Sequence, residues 1–81
     1  MTIKAPRFMT EYANYKKREL SEKIQMNKND GEMKVRCEEA IRIVDRALHH
    51  YTHGLILVEE SMRLILKSED YAYERYQAGE I

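Results

Sequence analysis

Eight apolar side chains in the middle of the chain, Met33, Cys37, Ala40, Ile41, Val44, Ala47, Leu48 and Tyr51, recur at spacings of three and four. At 3.6 residues per turn this spacing lines them up as one continuous stripe, whereas a strand would need strict alternation. The stripe is bounded on both sides. Asn27-Lys28-Asn29-Asp30-Gly31 precedes it, a run of turn-forming residues in which Asp30 or Asn29 can cap a helix, and Gly54 follows it with the left-handed freedom that ends one. A helix over about 31–53 is therefore predicted, with one face that must be covered.

The rest of the sequence supplies the cover. Pro6 suits a first helical turn, and Met9, Tyr12, Ala13, Leu20 and Ile24 share a broad face of a helix over about 8–28. Lys16 and Lys23 interrupt that face. Their stems are expected to lie along it with the amines outward, so this helix packs weakly or packs on a partner. A third helix over about 57–67 carries Glu59 and Glu60 in its first turn, where the helix dipole favours negative charge. Val58, Met62 and Ile65 form its inner face, while Leu57 and Leu64 point to the other side, so this helix either lies between neighbours or leaves a patch for another chain. A short helix over about 70–77, closed by Gly79, is expected to turn Ala72, Tyr73 and Tyr76 inward. The predicted fold is all-α: three main helices and a short terminal one in a single domain of 81 residues, preceded by a loose arm over 1–6. A chain of this size buries only about 60% of its unfolded surface, so association would help to stabilise it.

Net charge is zero but unevenly placed, with nine Lys/Arg against five Asp/Glu in residues 1–36 and the reverse in residues 37–81. This dipolar pattern suits packing on a partner and lacks the strong positive balance of a stand-alone nucleic-acid binder. Cys37 is the only cysteine, so no internal disulfide forms and a reducing cytoplasm is the expected compartment. Lys4, Pro6 and Arg7 are not followed by an apolar signal-peptide core. The longest apolar run, Leu55 to Val58, is too short for a membrane span, and no membrane partner is expected.

Few residues suggest chemistry. Asp45, His49 and His53 step by four along the central helix, a spacing that can present ligands to a metal, but they lie opposite its apolar stripe and near its C-terminus, where histidines complement the dipole. They are read as exposed histidines rather than a site. Cys37 lies within the stripe and reads as a buried apolar cysteine. No Ser-His-Asp ordering, Gly-rich phosphate loop or paired carboxylates stand out, so a non-enzymatic protein without metal or cofactor is expected. Tyr12, Tyr15, Lys16, Lys17 and Arg18 place aromatic and basic groups within two turns. They could stack on bases and hold phosphates, or anchor a protein; together with Leu57 and Leu64 they are the candidate partner-binding residues, and a protein partner or self-association is favoured.

Two resemblances add to this reading. Val58, Glu59, Glu60, Leu64, Ile65, Ser68, Tyr73, Gly79, Glu80 and Ile81 match, without a gap, the opening of excisionase-type helix-turn-helix domains. That resemblance implies DNA binding. The pattern departs at Leu57, where a capping Ser or Thr is usual, and at Leu66, where the turn glycine stands. The sequence also ends where the basic wing begins, and the would-be recognition helix sets Glu69, Asp70 and Glu74 against Arg75 alone. The opening APRFMTEYANYKKR, with the later Asp45-Arg46-Ala47-Leu48 and GLI-x-VEESMRLI segments, resembles small open reading frames of conjugative transposons and phage-like elements of Gram-positive bacteria. That resemblance implies a setting in which small proteins regulate element transfer, or bind and block a host system as anti-CRISPR proteins do. The expected function is a non-enzymatic helical regulator or inhibitor acting through a macromolecular partner, with a degenerate helix-turn-helix DNA binder as the alternative.

Overall fold

A computed structural model describes residues 2–81. Four helices follow in order: α1 over Arg7–Met26, α2 over Gly31–Thr52, α3 over Val58–Leu66 and α4 over Ser68–Gln77. No strand occurs among the described residues. The predicted elements are thus present, with two differences of extent. Helix α1 stops at Met26, and α4 starts at Ser68 with only Lys67 between it and α3.

Local chemistry sets these boundaries. Asp30 caps α2, its carboxylate accepting from the Met33 N–H at 3.0 Å. At the other end Gly54 adopts a positive φ of 72°. Its N–H donates to the Tyr51 carbonyl at 2.9 Å and the Leu55 N–H donates to the His50 carbonyl at 2.8 Å, which together form the Schellman closure of a helix. Gly79 repeats the device after α4, with bonds from Gly79 to Tyr76 and from Glu80 to Arg75.

Helix α2 is the central strut, and the predicted stripe is its packing surface. One core cluster joins Met9 and Ala13 of α1, Val44 and Ala47 of α2 and Ile65 of α3. A second joins Leu20 of α1, Cys37, Ala40 and Ile43 of α2 and Ala72 of α4. Three of these ten side chains that line α1 against α2 are alanines, Ala13, Ala40 and Ala47, so the two long backbones can approach closely. Where α1, α2 and α3 meet, the buried Ser61 hydroxyl donates to the Ala47 carbonyl at 3.1 Å and lies 3.6 Å from Met9 Sδ, which satisfies a polar group that would otherwise be costly to bury.

Several expectations are corrected. The arm before α1 is not loose: the Ile3 N–H donates to the Thr52 carbonyl at 2.6 Å and Ala5 packs on the first core cluster, while Met1 lies outside the described residues. Leu64 is not on a free flank of α3. It packs against both core clusters, because α3 sits beside α2 and leads straight into α4, so two of its flanks are covered. In α4 it is Tyr71, not Tyr73, that packs inward beside Ala72. Tyr73 is exposed, with the Arg36 guanidinium 4.5 Å from its ring centre.

Val44 is fully buried at the centre of the α2 stripe. Val44→Asp is expected to cost on the order of 4 kcal/mol, since it buries an unpaired carboxylate, and that approaches the whole stability of a domain this small. Chemical denaturation followed by far-ultraviolet circular dichroism measures it; a midpoint close to wild type would contradict the proposed core.

Candidate partner-binding surface

The basic-aromatic segment of α1 is divided by the fold. Tyr12 is half-buried against the first core cluster and its ring lies 6.2 Å from that of the exposed Tyr15. Lys16 and Lys23 do not point their amines into solvent. Both reach across to α4, where Lys16 Nζ is 3.0 Å and Lys23 Nζ 2.6 Å from the two carboxylate oxygens of Glu69. Lys16 also approaches Glu19 at 3.4 Å. Lys17 pairs with Asp45 of α2 at 2.8 Å. Of the five predicted residues only Tyr15 and Arg18 remain exposed and without a partner side chain in an ion pair.

The lysine-glutamate cluster is shaped by partial burial. For Glu69, burial alone would raise the carboxyl's pKa, but hydrogen bonds and charge from Lys23 and Lys16 outweigh it and hold the group below the usual carboxylate range. For Lys16, burial would lower the value, and Glu69 followed by Glu19 outweighs it and raises the amine above its ordinary value. Burial pushes the nearby Cys37 thiol up, reinforced by the Glu69 charge against the opposing effects of Lys23 and Arg36, so Cys37 is a poor nucleophile.

The C-terminal unit turns its charges inward in the same way. Glu39 of α2, a buried carboxylate, accepts from Arg75 of α4 at 2.7 Å and from Arg42 at 2.8 Å. Arg75 also lies 3.2 Å from Glu80. The one cation of the would-be recognition helix is therefore bound within the fold. Helix-turn-helix motifs join their helices through a turn of three to four residues, whereas Lys67 alone separates α3 from α4. The role of Glu39 was missed in the sequence, where the only signal was its position three residues before Arg42 beside the α2 stripe.

Asp45, His49 and His53 do not converge. Asp45 is held by Lys17, and the His49 and His53 rings lie 4.2 Å apart, centre to centre. No group of three or more His, Cys, Asp or Glu side chains is placed to hold a metal among the described residues. None of the described helices is long and apolar enough to cross a membrane.

Large apolar side chains also remain exposed. Leu55 and Leu57, 68% and 73% exposed, flank Ile56 in the loop between α2 and α3. The Schellman closure fixes the start of this loop and the Ser61 N–H, donating to the Leu57 carbonyl at 3.0 Å, fixes its end. Ile3, about half exposed, lies near the start of the loop: its N–H donates to the Thr52 carbonyl, and a methyl group added at Gly54 would meet its side chain. Of the two leucines expected at a surface patch, Leu57 is exposed and Leu64 is half-buried against both core clusters. Compared with known proteins, the chain matches no family model, no curated protein and no solved structure.

Two substitutions test the charge pairs. The stability that Glu69 contributes is fully present above its unfolded value near 4.5 and is lost as pH falls through its lower folded value. The melting-temperature gap between wild type and Glu69→Gln is expected to hold from about pH 6 to about pH 9 and to close in acid. A gap that persists below both values would show that the charge of Glu69 is not what holds α4. Arg75→Ala leaves the buried Glu39 with Arg42 alone, and urea denaturation is expected to show a loss of about 1–3 kcal/mol.

Proposed function

We propose that this chain is a non-enzymatic helical binding protein of a mobile genetic element that regulates or inhibits through a protein partner. The observation that carries this reading is the pair Leu55 and Leu57, both more than two-thirds exposed on a loop whose backbone is hydrogen-bonded at each end. Large aliphatic side chains held rigidly in solvent cost free energy until another apolar surface covers them, and rigid anchors lose little entropy on binding. The loop's setting favours protein over nucleic acid. No Lys or Arg occurs between Arg46 and Arg63, so the loop itself contributes no lysine or arginine with which to hold phosphate. The mobile-element setting rests on the resemblance of the opening and of the GLI-x-VEESMRLI segment to open reading frames of such elements.

Affinity capture from a Gram-positive host lysate tests the proposal when wild type is compared with Leu55→Ser/Leu57→Ser. Both positions are exposed, so circular dichroism and melting temperature should be unchanged while a specific partner is lost. Retention of every captured protein by the double variant would remove the loop as the contact. Tight, steeply salt-dependent binding of duplex DNA by wild type would instead favour the excisionase-like alternative.

A further inference from the structure

We infer that α1 pairs antiparallel with α1 of a second copy of this chain, through its outer face, about a two-fold axis midway between Asn14 and Tyr15. The face consists of Phe8, Glu11, Tyr15, Arg18, Glu22 and Met26, spaced by three and four residues and all exposed; its three apolar members are 57%, 56% and 82% exposed. Two surface depressions lie along it. One, of about 320 Å³, is framed by Tyr15, Arg18, Glu19 and Glu22, and the next, of about 300 Å³, by Arg18, Ser21, Glu22 and Gln25 with Met26 beside them. Each frame is the i, i+3, i+4, i+7 set that receives a side chain from a facing helix in knobs-into-holes packing.

The charges on the face select the occupant, its direction and its register. In the antiparallel register centred between Asn14 and Tyr15, Arg7 faces Glu22 of the second copy and Glu11 faces its Arg18. Phe8 then enters the depression framed by Arg18, Ser21, Glu22 and Gln25, and the two Tyr15 rings flank the axis. Within one chain Arg7 already lies 2.7 Å from Glu11 on the open surface, so the pairing extends it into four alternating charges, formed twice by symmetry. Arg18 and Glu22 have no ion-pair partner of their own among the described residues. The alternatives are opposed by like charges. A shift of one turn in one direction sets Glu11 against Glu22, a shift in the other sets Arg7 against Arg18, and a parallel arrangement sets Arg18 against Arg18. The pairing does not involve Leu55 or Leu57, and its failure would leave the partner reading intact.

Sedimentation equilibrium on the full chain from micromolar concentration up to about 1 mM tests this. Wild type is expected to dimerise. Arg18→Glu alone and Glu11→Arg alone should each weaken the dimer at least about tenfold, and the two single variants mixed should form a heterodimer, since every facing pair is then of opposite sign. The double variant Glu11→Arg/Arg18→Glu should recover self-association. Phe8→Ala should weaken it without changing the circular-dichroism spectrum. A chain that stays monomeric throughout, a dimer indifferent to Arg18→Glu, or single variants that fail to pair when mixed would each overturn the proposal.

Discussion

Helix α4 fully buries only Ser68 and Ala72, with Tyr71 packed beside them, so charge pairs at its two ends add to a small apolar contact in holding it in the bundle. At its first turn Glu69 receives Lys16 and Lys23 from α1; near its last, Arg75 reaches the buried Glu39 of α2. A helix of ten residues is too short to persist alone in water, and its own periodicity gives it little apolar face. The pairs differ in worth. Exposed ion pairs contribute little, but a buried carboxylate such as Glu39 is costly unless it is fully bonded, which makes Arg75 the less replaceable contact. This arrangement also limits what the surface has left to offer, because Lys16, Lys23 and Arg75 are engaged with carboxylates of the fold.

The elements of the fold were legible because their limits are written in local chemistry. Asp30 caps, Gly54 and Gly79 close, and the stripe from Met33 to Tyr51 lies on a helix long enough for its phase to be unmistakable. The errors fall where that redundancy is missing. Between α3 and α4 the sequence Leu66-Lys67-Ser68 has no Gly, Pro or Asn, and the junction is made by Lys67 alone, so α4 begins earlier than its composition suggests. In the nine residues of α3, Val58, Ser61, Met62, Leu64 and Ile65 all face the core, a span wider than the three-residue face its spacing suggests. Leu64 falls within that wider span, and in α4 it is Tyr71 rather than Tyr73 that packs on the core.

The candidate surface was legible only by residue type. Tyr15, Arg18 and Leu57 were singled out and are exposed, but the neutralisation of Lys16 by Glu69 and of Lys17 by Asp45 joins residues far apart in sequence, which no spacing rule reaches. Short-range patterns reveal helix faces and caps. They do not reveal which charges meet when the helices are packed, and here that meeting decides which cations stay free.

The distribution of large apolar side chains has a physical logic of its own. A core of ten residues, three of them alanines between α1 and α2, draws the long helices close but buries modest area per residue. Meanwhile Phe8, Tyr15, Met26, Leu55 and Leu57 remain in solvent. A chain with little core to spare gains by keeping such residues inside, unless outside they are covered part of the time. These five lie in two separate places, a helix face with alternating charge and a loop whose own residues include no Lys or Arg, while Leu66 and Tyr73 are exposed elsewhere; the two settings favour different contacts. In the proposed pairing the charged face recognises its own copy because two-fold symmetry brings each sign against its opposite, whereas the loop offers aliphatic anchors and no such symmetry. An antiparallel pair of α1 helices would carry the two loops at opposite ends of the assembly, since each loop lies beside the N-terminal arm of its own α1. Binding at one end would then leave the other free, and a dimer could engage two partner molecules at once with the gain in effective concentration that a linked pair of sites provides.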